Sequence, residues 1–376
     1  MQFRKFGNLN WKSSALGFGC MRLPIDSEGK IIENEAIKII RYGIDQGINY
    51  IDTAYPYHKG TSEIIVGKAL KDNYRKKVML ATKCPVWLLK KADDFDTLLD
   101  EQLKKLSTDH IDFYLLHALD SKSWKIIQDL NILNKAEEAI KKGKIKYLGF
   151  SFHDKFEVFK EIIDGYNWTF CQIQYNYMDI NNQAGTKGLR YAYSKGIAVI
   201  VMEPIRGGLL ANPPKRIAEI FDESKNKHTP ADWALQWVWN QPEVSLVLSG
   251  MSTLSQVEEN IHSVDVYGVD TLSKEDLKII ERVREEYSKR ETIPCTKCNY
   301  CMPCPNGVNI PKNFELYNEA VIYDDTRMAG FRYSAFLSEA QRANKCIQCK
   351  ICETKCPQKI KISQWMPKVH EKLKMH

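Results

Sequence analysis

Eight of the eleven cysteines in this 376-residue chain fall in two short runs near its end. These are CTKCNYCMPCP (295 to 305) and CIQCKICETKCP (346 to 357). Clustered thiols of this kind form disulfides or bind metal. The opening MQFRKFGNLNWKSS has no apolar leader, so a cytoplasmic, reducing setting is expected, and metal binding with it. Zinc sites usually take thiolates as two separated pairs, whereas C-x2-C-x2-C closed by a further cysteine and proline is a spacing that wraps a cubane iron–sulfur cluster. Cys346, Cys349, Cys352 and Cys356 before Pro357 have that spacing in full. Cys295, Cys298, Cys301 and Cys304 before Pro305 have two residues rather than three ahead of the last cysteine. Two such runs corroborate each other and point to two [4Fe-4S] clusters rather than zinc or coincidence. Cys20, Cys84 and Cys171 are isolated.

The tail as a whole resembles a two-cluster bacterial ferredoxin module. That resemblance implies crossed ligation, the fourth cysteine of each run serving the other cluster. Cys295, Cys298, Cys301 and Cys356 would hold one cluster, and Cys346, Cys349, Cys352 and Cys304 the second. The 41 residues between Cys304 and Cys346 exceed what a minimal ferredoxin needs, and PKNFELYNEAVIYDDT and FRYSAFLSEAQRANK read as two inserted helices.

Ahead of the tail, one pattern repeats. The β-rich runs ALGFGCM, NYIDTA, KVMLATK, IDFYLLH, IKYLGFS, FCQIQYN, IAVIVME and SLVLSG alternate with helical stretches such as NEAIKIIRYGIDQG and KAEEAIKKG. Eight strand–helix units in about 250 residues is the size of a closed parallel (β/α)8 TIM barrel. FRKFGNLNWKSSALGFG reads as a hairpin plugging the barrel floor. LSKEDLKIIERVREEYSKR reads as a helix capped by Ser273, with Leu277, Ile280, Val283 and Tyr287 as its apolar stripe. The expected organisation is a barrel over 1–268, a connecting helix over 269–294 and a small, mainly α-helical ferredoxin-like iron–sulfur domain over 295–376.

Barrel enzymes place their chemistry where the strands end. Asp52 closes the second strand, Lys83 the third and His117 the fourth, and Tyr57 lies in the loop after Asp52. Taken singly, such residues more often cap a helix, face solvent or satisfy a local partner. Four at one barrel mouth point to a site. Here the chain resembles the aldo-keto reductases: IDTAYPYHKGTSEIIVG, MLATK and YLLHALD match their three catalytic segments in order, and the likeness spans the barrel. It implies that Tyr57 donates a proton to a carbonyl oxygen, that Lys83 helps it ionise, that Asp52 orients Lys83, and that His117 hydrogen-bonds the substrate. A free tyrosine, with a pKa near ~10, is a poor donor at neutral pH, so a neighbouring cation makes chemical sense.

The same resemblance places Ser151, Gln174 and Asn176 around a cofactor's ring amide, although these side chains could equally satisfy backbone groups. It places Met202 where NADPH-dependent members stack a tyrosine on the nicotinamide. In the loop GMSTLSQVEEN, Gly250, Ser252, Thr253, Glu259 and Asn260 are binding candidates, but the loop lacks the basic residue that grips a 2′-phosphate. Single-electron clusters also need a converter before they can work with a two-electron hydride donor, and flavin is one. These three points favour FMN in the barrel over NADP(H) or NAD(H).

The expected function is therefore an oxidoreductase whose clusters exchange electrons with the barrel cofactor and with a ferredoxin-like carrier, acting on a small carbonyl or related substrate. One alternative is an NAD(P)H-dependent carbonyl reductase with structural or regulatory clusters. Another is a non-catalytic electron carrier on a retired barrel. Nucleic acid is not an expected partner, since 54 basic residues against 47 acidic are scattered without a basic run. Nor is a membrane, since the longest apolar run, IAVIVM, is far too short to span one.

Overall fold

The structure, a computed structural model, describes residues 1–322 and 326–374. Among the described residues ten strands form, namely β1 (Phe3–Lys5), β2 (Lys12–Ser14), β3 (Leu16–Gly19), β4 (Tyr50–Asp52), β5 (Met79–Cys84), β6 (Ile111–Leu119), β7 (Ile145–Phe152), β8 (Phe170–Gln174), β9 (Ala198–Met202) and β10 (Val244–Ser249). The last eight close into a barrel in the order β10-β3-β4-β5-β6-β7-β8-β9. All its pairings are parallel, and each expected β-rich run is one of its staves.

β1 and β2 pair antiparallel, Phe3 opposite Ser14. The turn between them carries Phe6, fully buried, into the starts of the staves. Its ring lies 6.3 Å from that of Tyr50, 4.9 Å from Phe113 and 6.0 Å from Phe170. Burying one such aromatic side chain is worth about 1.5–3 kcal/mol, so the hairpin is a packed floor. The other end of the barrel is left for polar side chains.

The chain forms two compact units, residues 1–204 with 235–271, and residues 205–234 with 272–376. Residues 205–234 thus group with the tail, whereas the sequence pattern puts them in the barrel. They are tied to the helix Lys274–Ser288 by ion pairs of Glu223 with Arg282 (2.5 Å) and of Arg216 with Glu286 (2.9 Å). The Ser224 hydroxyl also donates to Asp276 at 3.0 Å. Ser273 and Asp276 cap that helix reciprocally. Ile280, Val283 and Tyr287 are buried, but Leu277 is 38% exposed. The inward place beside it goes to Asp276, bonded to Ser224 and Asn226.

In the tail, helices Ile310–Ile322, Thr326–Phe336 and Ile362–Leu373 pack on an apolar core that includes Phe314, Leu316 and Met366. The first inserted helix was expected over 311–326, of which 323–325 lie outside the described residues. No described helix is long and apolar enough to cross a membrane.

Candidate active site and cluster sites

β4 ends on Asp52, and β5 carries Lys83 one residue before its end. The ammonium of Lys83, 1% exposed, donates to Asp52 Oδ1 at 2.6 Å and to the Thr53 carbonyl at 2.8 Å. Its third partner is the Tyr57 hydroxyl at 3.4 Å. Tyr57 opens the short turn Tyr57–Gly60, whose His58 and Lys59 have φ of 50° and 57°. This left-handed turn brings the tyrosine back over the lysine.

His117 reaches the same place through an irregularity. The β6–β7 register shifts between Leu116 and Leu119, and Ala118 has φ 57°. Such a bulge re-aims the side chains beside it. The His117 ring stands edge-on to Tyr57, with centroids 6.1 Å apart, and 5.1 Å from the Trp87 ring. Trp87 is 48% exposed and was not singled out in the sequence, because it lies three residues beyond β5 in a loop without a repeating pattern.

Burial pushes the Asp52 carboxyl up, and the charge and hydrogen bond of Lys83 pull it back. Burial also holds His117 well below the ordinary histidine value, with the Lys83 cation and His153 adding to the effect. A neutral imidazole at pH 7 offers one N–H donor and one acceptor. The four side chains can therefore present a hydroxyl backed by a cation and a neutral N–H to one oxygen atom. That is the equipment for protonating a carbonyl as it is reduced.

The other sequence candidates divide. Ser151 Oγ accepts from the Ala118 N–H at 2.7 Å and so braces the bulge. Gln174 donates to Asp179 at 2.8 Å and accepts from Asn182 at 2.9 Å. Asn176 donates to Asp179 and to the Glu203 carbonyl, and its own carbonyl accepts from the N–H groups of Met178 and Asp179. Its donors and acceptor are thus engaged within the fold. Met202 is half-buried at the end of β9.

After β10, Ser252 donates to the Arg22 carbonyl at 2.7 Å, and Thr253 caps the helix Leu254–Val266. Asn260 donates to Ser249 at 3.0 Å, and the Glu259 carbonyl accepts from Ser263. A Cβ at Gly250 would stand 3.2 to 3.4 Å from the stem of Arg22. The stem of Arg22, from the turn after β3, thus lies against this loop. The expectation of FMN rests partly on a loop that carries no basic residue of its own, and Arg22 is a basic residue that approaches that loop from elsewhere in the chain. The strand-end rule could have found Arg22, which follows β3 by three residues.

In the second unit the thiols fall into two groups. Cys295, Cys298, Cys301 and Cys356 line one cavity together with Ile310, Phe314 and Ile360. Burial raises the Cys301 thiol, and Cys298, Cys295 and Cys356 add to the shift, with Cys352 weaker. Cys352, pushed up to about 11 by burial, has Cys346, Cys304 and Cys349 as its charged neighbours. The groups 295/298/301/356 and 304/346/349/352 are those that crossed ligation requires. Four thiols around an apolar-walled cavity fit a cubane, whose irons each take one thiolate. Among the described residues no three Cys, His, Asp or Glu side chains converge on a single-ion position. Gly207, at φ 68°, lies against the first run, and a Cβ there would stand 2.8 Å from the Thr296 carbonyl oxygen.

Comparison with known proteins agrees with this division. The sequence pattern of the Aldo/keto reductase family matches residues 15–285, and that of a 4Fe-4S dicluster domain matches residues 294–360. The chain is 30% identical over 311 residues to L-galactose dehydrogenase of Arabidopsis thaliana, covering 76% of this chain and 95% of that protein. It is 29% identical over 310 residues to probable aldo-keto reductase 1 of Glycine max, covering 73% and 87%. Aldo-keto reductase AKR11C1 from Bacillus halodurans, in its holo form, superposes with a TM-score of 0.64 at 26% identity over 75% of this chain and 96% of that one. An aldo-keto reductase from Klebsiella pneumoniae in complex with NADPH, 24% identical, has the same fold with a TM-score of 0.61 over 75% and 95%.

Proposed function

The chain belongs to the aldo/keto reductase family and carries a C-terminal 4Fe-4S dicluster domain, and on that premise we propose that it is a nicotinamide-dependent oxidoreductase interconverting a small carbonyl compound and its alcohol, with NADPH the favoured cofactor. The observation that carries this reading is the Lys83 ammonium shared between Asp52 at 2.6 Å and Tyr57 at 3.4 Å. NADPH, when bound, supplies a hydride to the carbonyl carbon. A relative named for dehydrogenating L-galactose and a fold relative solved with NADPH support this choice.

The chain's own residues handle the proton and the charge. As negative charge develops on the substrate oxygen, the Tyr57 hydroxyl gives it a proton. The Lys83 ammonium stabilises the phenolate left behind. Asp52 and the Thr53 carbonyl accept from the Lys83 ammonium and aim it at Tyr57. His117, held neutral, donates its ring N–H to the same oxygen. Trp87, its ring 5.1 Å from that of His117, walls that side of the site. Hydride and proton together make the alcohol, and solvent returns a proton to Tyr57. The guanidinium of Arg22 and the capped start of the helix Leu254–Val266 are the groups for the cofactor's phosphate.

On this reading FMN is not required, and the clusters are structural or regulatory for the barrel's reaction. The test is an anaerobic assay of cluster-loaded protein with small aldehydes and ketones. NADPH alone should sustain turnover, and Tyr57→Phe should slow it by a factor of ~100 or more. Turnover that requires a reduced one-electron carrier while NADPH stays inert would overturn the proposal.

A further inference from the structure

The second cysteine run is both apolar and basic at its surface. Ile347 is 64% exposed and Ile351 47%, and Cys349 between them is exposed. Residues 344–361 hold five lysines, Lys345, Lys350, Lys355, Lys359 and Lys361, against one acid, Glu353. That acid is turned inward, accepting from the Ser363 N–H at 2.8 Å and from its hydroxyl at 2.6 Å. Lys345 is paired with Glu339. Lys350, Lys355 and Lys361 are exposed and in no ion pair among the described residues. A cubane with four thiolates brings net negative charge, which reduces this lysine excess without reversing it. The first run differs. Its four cysteines are only partly exposed, and its one lysine, Lys297, faces Glu315 at 3.5 Å.

An apolar tip ringed by one sign of charge is the layout of a transient protein interface, in which the rim steers the encounter and the centre is desolvated. Here the tip is built from the ligands of a redox centre. We propose that the loop 346–351 with its lysine rim is the docking surface for an acidic one-electron carrier protein, which sets the redox state of the dicluster module through its more exposed thiol group. One electron leaves the reduced carrier and arrives at the centre held by Cys304, Cys346, Cys349 and Cys352. The carrier is oxidised by one electron, and no bond or proton is exchanged. The inference rests on reading the eight cysteines as two clusters, and it gives a regulatory sense to clusters that the carbonyl chemistry itself does not use.

The experiment uses the full chain, loaded and handled without air, with an acidic [2Fe-2S] ferredoxin as the probe. Iron content and bleaching by dithionite are measured first. Binding of the oxidised ferredoxin and the rate of cluster bleaching by the reduced form are then followed at low and high salt. Wild type should bind at low salt, release at high salt and bleach rapidly. Lys350→Glu with Lys355→Glu should slow ferredoxin-driven bleaching about tenfold or more at low salt, weaken binding and flatten the salt dependence. Its iron content and its bleaching by dithionite should not change. Ile347→Ser should weaken binding with the salt dependence kept, because it removes the apolar centre and not the rim. Loaded clusters with equal binding in wild type and the charge-reversed variant would overturn the docking surface. So would capture by phosphatidylserine vesicles with no response to ferredoxin, which would assign the patch to lipid. A chain that takes up no iron would overturn the cluster reading beneath it, and the first measurement shows which has failed.

Discussion

Lys83→Met tests the buried pair at the centre of the site. The substitution keeps most of the side chain's volume and removes its charge, leaving Asp52, 2% exposed, as a carboxylate without its cation. Breaking a buried pair on one side costs about 3 to 5 kcal/mol. For a barrel unit of this size each kcal/mol lowers the melting midpoint by about 2 to 4 °C, so the expected drop is roughly 6 to 20 °C. The pH dependence has a defined sign. Burial already pushes the Asp52 carboxyl up, and the two influences that lower it both come from Lys83, so the variant's carboxyl rises further. A carboxyl raised in the folded state keeps its proton where the unfolded chain has lost it, so stability falls as pH rises through the folded value. The deficit should be small below about pH 4, the unfolded value, and reach its full size above the folded one. Adding Asp52→Asn removes the orphaned charge and should restore much of the lost stability without restoring turnover. Calorimetry of the wild type, both single variants and the double variant across pH gives the answer. Single losses that simply add in the double variant, or a Lys83→Met protein as stable as wild type at neutral pH, would refute the reasoning.

Tyr57→Phe should lower kcat by a factor of ~100 or more while NADPH affinity stays nearly constant, because the hydroxyl acts on the substrate oxygen; steady-state kinetics with fluorescence titration checks both halves. His117, held well below its ordinary value by burial and by Lys83, should remain neutral between pH 6 and 8, so its ring resonance should not titrate there and the pH–rate profile should lack a step assignable to it. Gly207→Val places a branched Cβ at φ 68° and 2.8 Å from the Thr296 carbonyl, next to Cys295. Bound iron should fall from about eight toward about four per chain as the first group loosens, and iron analysis with electron paramagnetic resonance would show it.

Much of this molecule was legible because its signals are local. The eight staves announced themselves as β-rich runs, and the cysteine spacing named a cubane without help from the fold. Asp52, Lys83 and His117 could be read as strand ends, and Tyr57 by its distance from Asp52. What was missed depends on chain returns that no local pattern records. Arg22 can be read as a strand-end residue, but its approach to Gly250 follows from the barrel closure that sets β3 beside β10. Trp87 meets His117 only across neighbouring staves. The partners that Asn176 takes, Asp179 and the Glu203 carbonyl, come from the chain after its own strand and from the end of the next. The ties of Glu223, Arg216 and Ser224 to the helix Lys274–Ser288 join segments about 50 to 70 residues apart, and no local pattern records them. Leu277 fits the apolar stripe by spacing and is displaced because Asp276 beside it finds partners inside.

We propose that the barrel works with a nicotinamide held beside Lys83, Tyr57 and Arg22. The most direct test is to purify the protein without air, extract it with acid, and titrate the intact protein with NADPH and NADH while following cofactor fluorescence. The extract should contain no flavin, and NADPH should saturate the protein at about one per chain. Arg22→Ala should weaken NADPH about tenfold or more, and NADH much less, because the lost contact is a charge-assisted one to phosphate. One FMN released per chain, with no saturable binding of either nicotinamide, would contradict the account.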